Sequence, residues 1–294
     1  MKDRLLYLLV RGAVGLFGLL PARWARAIGE WGGQIWFLVD GSRRRMVRRH
    51  MTRVLGEDSN PEHAVREVFR SYGRYWAETF WVRPSRIPAL DRNLVVEGIE
   101  HLAAAARNGK GAVIALPHLG NWEAAALAGP RAGIKIVAVA ERLANPLLTE
   151  WFTSLRASFG IEIHLNMKGV MRSVEQSVRA GAAVALLADR DLKGRGVRTE
   201  FFGEVTTLPA GPVALASRTG APLLTAVCYF TPEGHHVVLG SPLAIPDVPN
   251  RLEVGTRAFA ERMESDILKA PEQWHLLQPN WPSDREDNVP AITT

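Results

Sequence analysis

Cysteine is almost missing. Cys228 stands alone among 294 residues, inside the apolar run "LLTAVCYF", so neither a disulfide framework nor a CxxC metal site can be built. A lone thiol fits a reducing cytoplasm. No other histidine falls at metal-ligand spacing from His118, and HExxH and HxxEH are both absent, so no metal is expected. There is no RRM signature, no zinc-finger spacing and no long basic helix, which leaves nucleic acid out as a partner. The N-terminal apolar run covers residues 5–20, is interrupted by Arg11 and is ended by Pro21. It falls short of the roughly 20 residues of a spanning helix. No small-residue cleavage site follows it, so a signal peptide is not expected. Internal repeats and low-complexity tracts are absent too.

What is present describes a folded chain with an anionic partner. Hydrophobic residues make up 47% and charged residues 22%, a globular composition. Lys and Arg outnumber Asp and Glu by 36 to 30, and a mild basic excess suits lipid headgroups or nucleotide phosphates. After the apolar run come Trp24, Trp31, Trp36 and Phe37, then Arg43, Arg44, Arg45, Arg48 and Arg49 in "SRRRMVRRHMTR". Apolar helices with tryptophan beside a basic cluster describe a protein lying on a membrane. The competing reading is a helical hairpin packed on its own domain, with the arginines as a solvated face. The chain is expected to divide into a helical membrane-associating region, residues 1–90, and one continuous α/β core, residues 91–294. Its expected place is the cytoplasmic face of the plasma membrane, bound peripherally to anionic lipid.

In residues 61–82, Val65, Val68, Phe69, Tyr72, Trp76 and Phe80 recur at helical spacing, and Pro84 and Pro88 end the pattern. From residue 93 strands and helices alternate. "NLVVEG", "GAVIAL", "IKIVAVA", "IEIHL" and "AAVALLA" read as strands; the segments between them read as helices. This predicts an α/β fold with a central, mostly parallel sheet flanked by helices. "PLLTAVCYF" and "HHVVLG" read as antiparallel neighbours, and "LEVGTRAFAERMESDIL" as a last amphipathic helix. The polar tail from Asp284 reads as loose.

The stretch "ALPHLGNWEA" puts His118 just past a buried strand and Glu123 five positions later. Strand–loop–helix junctions are where α/β proteins place their chemistry. In one continuous helix the two side chains would not meet. With His118 on the loop and Glu123 in the first helical turn, capped by Asn121, the carboxylate can reach back to the imidazole. Such a carboxylate fixes the ring tautomer and stabilises the imidazolium. No Ser or Cys lies between them, so His118 would act directly on a substrate hydroxyl. A packing or capping histidine is the competing reading. Arg142 in "AERL" is a candidate phosphate or headgroup contact. "KGRG" (193–196) reads as a phosphate-binding or simply solvated loop.

"PHLGNWE", "VAERLANPLLTEWFTSLRASFG", "LLADRDLKGRGVRTEFFGEVTTLPAGP" and "WHLLQPNW" together resemble the bacterial membrane acyltransferase superfamily that includes the late lipid A acyltransferases. They look most like its phosphatidylinositol mannoside acyltransferase branch. The resemblance covers nearly the whole chain. It implies that His118 and Glu123 match the family's H-x4-D/E pair, with His118 as base; this chain carries Glu where the mannoside branch usually has Asp. It further implies roles near the substrate for Arg156 in "SLRASFG" and Asp189 in "LLADRDL", the latter an Asp where the family's "ERD" block has Glu. The implied reaction is transfer of a palmitoyl-type chain from acyl-CoA or an acyl-carrier protein to a mannose hydroxyl of a glycolipid acceptor. Acyl-CoA is there a donor substrate, and no cofactor is needed. The alternatives are a lipid A or glycerolipid acyltransferase and a non-enzymatic lipid carrier.

Overall fold

The computed structural model of the protein describes residues 2–191 and 194–286. Four helices come first: α1 (Lys2–Phe17), α2 (Ala22–Val39), α3 (Gly41–Leu55) and α4 (Glu62–Trp81). The helical spacing along α4 puts Val65, Val68 and Phe69 in the core, and Arg74 and Glu78 fall on buried positions of the same helix. Helix α2 lies on α4 at backbone distance. A Cβ on Gly33 would sit 2.1 Å from the Phe69 carbonyl oxygen, and one on Gly73 2.1 Å from that of Gly29. Only glycine permits that approach. With one face of α2 pressed on α4, Trp24, Ile28, Trp31, Ile35 and Leu38 stand exposed along the other, at helical spacing. No described helix is long and apolar enough to cross a membrane.

The arginines of α3 largely serve intramolecular contacts. Arg48 pairs with Glu62, Arg43 with Asp40, Arg44 donates to the Phe37 carbonyl and Arg49 to that of Ser283. Arg45 is exposed.

The core alternates strands and helices: α5 (Ile87–Arg92), β1 (Leu94–Glu97), α6 (Ile99–Arg107), β2 (Ala112–Leu116), α7 (Ala128–Ala132), β3 (Ile136–Ala140), α8 (Pro146–Ser158), β4 (Ile161–Leu165), α9 (Val170–Arg179), β5 (Ala183–Leu187), β6 (Val197–Phe201), β7 (Glu204–Leu208), α10 (Gly211–Thr219), β8 (Leu223–Phe230), β9 (His235–Leu239) and α11 (Arg251–Ile267). The main sheet has seven strands in the order β1-β9-β8-β2-β5-β3-β4. Strands β8, β2, β5, β3 and β4 run parallel; β9 is antiparallel to β8, as expected, and β1 follows β9. Alternate side chains of each strand feed two cores. Val113, Ala115, Val137 and Val184 pack on one side with α9, α10 and α11. Ile114, Leu116 and Ile136 pack on the other with α6, α7 and α8. The fold is therefore the expected α/β sheet flanked by helices.

Two local expectations change, and one hairpin was not anticipated. "NWEAAALAG" is not one helix but a 3-10 turn, Ala124–Leu127, followed by the short α7. Pro130, which has no N–H to donate, lies within α7. Strands β6 and β7 form a separate antiparallel hairpin. Its two-residue turn is Phe202-Gly203, both at positive φ, and an aromatic there hides the usual Asn-Gly or Asp-Gly signal. Asp284 is not loose but fully buried, against His50 and Arg53 of α3. The rest of the tail, from residue 287, lies outside the described residues.

Candidate active site

Parallel strands in one direction bring their C-terminal ends to one edge. Strand β2 delivers His118 there, β5 delivers Asp189, and α8 passes nearby with Arg156. The loop from His118 to Asn121 is held on both sides. His275 N–H donates to the His118 carbonyl (2.7 Å), and Gly120 N–H to that of Gln273 (2.8 Å). Asn121 N–H donates to the Cys228 carbonyl of β8 (3.1 Å). Gly120 has φ +56°, and a Cβ there would lie 1.9 Å from the Cys228 carbonyl oxygen, so the loop requires glycine.

The partner of His118 is Asp189. His118 Nδ1 lies 2.8 Å from Asp189 Oδ1, and the His118 backbone N–H donates to Oδ2 at 3.0 Å. Trp274 Nε1–H adds a third donor to Oδ2 at 2.9 Å. Asp189 is fully buried. Burial by itself would raise its carboxyl, but His118 and the N–H donors outweigh that and hold it below its ordinary value. A carboxylate at Nδ1 makes that nitrogen the donor and leaves Nε2 unprotonated. Nε2 has no hydrogen-bond partner among the described residues, and His118 lines the cavity described below.

Glu123, expected to hold the imidazole, is turned elsewhere. Its Oε1 accepts from Arg156 Nε at 2.9 Å and from the Tyr75 hydroxyl at 3.3 Å. Five residues carry the chain through Asn121, whose Oδ1 accepts from Ala124 N–H; the helical turn begins only at Ala124, so Glu123 precedes it instead of lying in its first turn. By then the Glu123 side chain has passed the ring and faces α8. Burial would lower the Arg156 guanidinium, but Glu123 outweighs it and raises the group. Trp122 packs edge-on to His118 at 5.2 Å and stacks on Tyr75 at 4.1 Å. The backbone N–H groups of His118, Leu119, Gly120, Asn121 and Ala124 all donate within the chain, so none of these five is free to receive an oxyanion.

His118, Glu123, Arg156 and Arg190 share the wall of a cavity of about 470 Å³. Most of the rest of the wall is apolar, including Ile114 and Leu116 of β2, Ala138 of β3, Ile163 of β4, Ala185 of β5, Phe152 of α8 and Ala226 of β8, with Glu141, Thr149, Thr153 and Asn166 among its polar residues. That size is ordinary for a pocket enclosing a small organic ligand. Asp189 stands behind His118 and does not line the cavity, so it acts on the ring and not on a ligand. Arg142 is exposed and lies outside the lining. Of the "KGRG" loop, Lys193 lies outside the described residues, and Gly196 N–H donates to Asp191. Sequence reasoning missed Tyr75, Trp274 and Arg190. Trp274 lay in plain view in "WHLLQP", but only the fold brings it to Asp189. No cluster of described side chains could hold a metal ion.

A histidine–carboxylate pair opening onto a largely apolar cavity at the ends of parallel strands has the chemistry that transfer of an acyl group requires. The chain matches the bacterial lipid A biosynthesis acyltransferase family over residues 2–283 and belongs to it; the protein is an acyltransferase. It is 34% identical over 274 residues to the phosphatidylinositol mannoside acyltransferase of Mycolicibacterium smegmatis, covering 90% of this chain and 88% of that one. It is 36% identical over 250 residues to the enzyme of the same name from Mycobacterium tuberculosis, covering 82% and 78%. A lipid A biosynthesis acyltransferase of Haemophilus influenzae is 26% identical over 180 residues, covering 60% and 55%.

Proposed function

We propose that this enzyme moves a palmitoyl-type chain from acyl-CoA, or an acyl-carrier protein, to a mannose hydroxyl of a phosphatidylinositol mannoside. The observation that carries the reading is the 2.8 Å contact between His118 Nδ1 and Asp189, with the same ring facing an apolar cavity. The similarity to two enzymes named for that acceptor supports the mannoside. His118 Nε2 takes the proton of the acceptor hydroxyl as its oxygen bonds to the thioester carbonyl carbon. Asp189 stabilises the imidazolium formed. The tetrahedral oxyanion then collapses, the C–S bond breaks, and the thiolate leaves with the proton returned from His118. Arg156 and Arg190 line the same cavity, and in this reading they are the cations that offset the oxyanion. These steps balance in atoms and charge without a cofactor. The acyl chain occupies the cavity, where each buried methylene contributes about 0.8 kcal/mol.

The acceptor is a membrane lipid, so the enzyme works at a surface. The apolar face of α2, the exposed leucines of α1 and the anionic lipid of the cytoplasmic leaflet form that contact. Residues 1–90 are in this reading the membrane-associating region, with residues 91–294 carrying the chemistry. The test is transfer from labelled palmitoyl-CoA by wild type and His118→Ala. Transfer to a mannolipid that falls by about 10²–10⁴ in the variant supports the reading. Transfer to a lipid A precursor instead, lipid binding without turnover, or a variant with more than about a tenth of wild-type kcat would overturn it.

A further inference from the structure

We infer that Glu78, on α4 and outside the cavity, is a positioning residue for the reaction: it sets the loop that carries His118 by holding the side chain of Asn121. The inference rests on His118 acting as the base.

Glu78 is buried, and its carboxylate accepts hydrogen bonds from side chains on four different segments. Oε1 takes Arg26 Nε of α2 at 2.8 Å and Arg74 Nε of α4 at 3.0 Å. Oε2 takes Asn121 Nδ2 of the His118 loop at 2.8 Å and His235 Nε2 of β9 at 2.7 Å. The arginines are themselves anchored. Arg74 donates to the carbonyls of Thr231 and Gly234 between β8 and β9, and lies 4.3 Å over the Phe230 ring. Arg26 reaches the Glu233 carbonyl at 3.0 Å. The carboxylate thus has a fixed place, set by charged donors in a dry interior, and whatever it holds inherits that precision.

What it holds is the turn between the two ends of the site. Asn121 is three residues after His118 and two before Glu123. Its N–H goes to the Cys228 carbonyl and its Oδ1 to Ala124 N–H, so the Nδ2 bond to Glu78 completes its anchoring. Asp189 and His275 fix the loop at His118; Glu78 fixes it from the side of α4, at the point where the chain leaves toward Trp122 and Glu123. A misplacement of about 1 Å in such a loop costs on the order of 10²-fold in rate.

A merely structural ion-pair hub is separated from a positioning residue by exchanging the two partners. In Glu78→Gln the new amide cannot accept from the arginines and from Asn121 at once. In Asn121→Asp two carboxylates face each other while both arginine contacts remain. In the double variant the roles are reversed: the carboxylate now at position 121 accepts from the amide now at position 78, and from Ala124 N–H. His235 then presents an unprotonated Nε2 by carrying its proton on Nδ1, which has no hydrogen-bond partner among the described residues.

The full chain is assayed with palmitoyl-CoA and phosphatidylinositol mannoside, alongside melting temperature and hydrogen exchange of residues 118–124. Each single variant is expected to lose about 10-fold or more in kcat, with KM for palmitoyl-CoA within about threefold, and to exchange faster in the loop. The double variant is expected to recover kcat and loop protection toward wild type. If Glu78→Gln does not fold, Asn121→Asp and the double variant read the same contact. Unchanged kcat in the folded single variants, or a double variant no better than either, overturns the inference. Retained activity in His118→Ala, measured in parallel, would instead sink the base assignment, and the loop-exchange result would still judge Glu78.

Discussion

Two carboxylates stand near His118, and their neighbours give them different work. Asp189 is dry and receives the imidazole; Glu123 is dry and receives a guanidinium. Replacing Asp189 with Asn leaves a group that can donate to Nδ1, which moves the ring proton to Nε2 and blocks the base. Transfer should then fall by about 10²–10⁴. Replacing Glu123 with Gln leaves His118 and its partner intact but strips the partly buried Arg156 of its counter-charge. That should cost about 1–3 kcal/mol of stability, with a smaller effect on kcat measured where the variant is still folded. Both variants, compared by kcat and by melting temperature, decide the assignment. If Glu123→Gln loses the greater share of kcat while Asp189→Asn stays near wild type, Glu123 orients the ring after all.

Helix α2 shows how one element serves two surfaces. Its glycine face allows the backbone to touch α4, and the opposite face displays Trp24, Ile28, Trp31, Ile35 and Leu38 to solvent. Ordinary surface helices present polar residues there. The α3 arginines, by contrast, are mostly bound within the chain, so the apolar stripe should carry more of the membrane affinity than the basic cluster. Trp24→Ser with Trp31→Ser is expected to reduce co-sedimentation with anionic vesicles at both low and high salt. Gln at Arg43, Arg44, Arg45, Arg48 and Arg49 should reduce it mainly at low salt, where charges are unscreened. Equal binding of the tryptophan variant and wild type would remove α2 from the membrane contact.

The sheet and its two cores shape the cavity proposed to hold the acyl chain and set how the whole molecule responds to acid. The cavity runs beneath the sheet from β4 to β9, with Ala138 and Ala226 in its wall on either side of β2. Leu at one or other of these positions should shift preference toward shorter acyl donors, by about fourfold in kcat/KM for each methylene excluded. A chain-length profile unchanged in both variants would mean the acyl chain lies elsewhere. His275 is buried beside the site, where burial, and secondarily His118, push its imidazole down to about 3. The unfolded chain takes up a proton near pH 6.5 that the folded chain refuses. This part of the stability is complete above about pH 6.5 and is lost as pH falls toward 3, by about 1.4 kcal/mol per unit. Urea midpoints between pH 7.5 and 4.5 should fall for wild type and fall less for His275→Gln. Parallel slopes would show that another group controls the acid limb.

Periodicity and composition were enough for the alternating strands, the parallel sheet, the antiparallel β8–β9 pair and the long α4, because each depends on which side chains recur within a few residues. His118 was legible for the same reason, as a histidine at the end of a buried strand. Its partner was not. Local spacing pointed to Glu123, five residues away, whereas β5, paired in register with β2, carries Asp189 to the ring from 71 positions further on. Arg74 and Glu78 are polar residues on an amphipathic helix, and only the packing that adds Arg26, Asn121 and His235 to Arg74 gives the carboxylate four donors. The Phe202-Gly203 hairpin and the burial of Asp284 were hidden likewise, the first by an aromatic at positive φ, the second by a partner on α3. Strand pairing and helix docking join residues far apart in the chain, and a charge buried there takes its role from whichever groups the packing brings within hydrogen-bond reach.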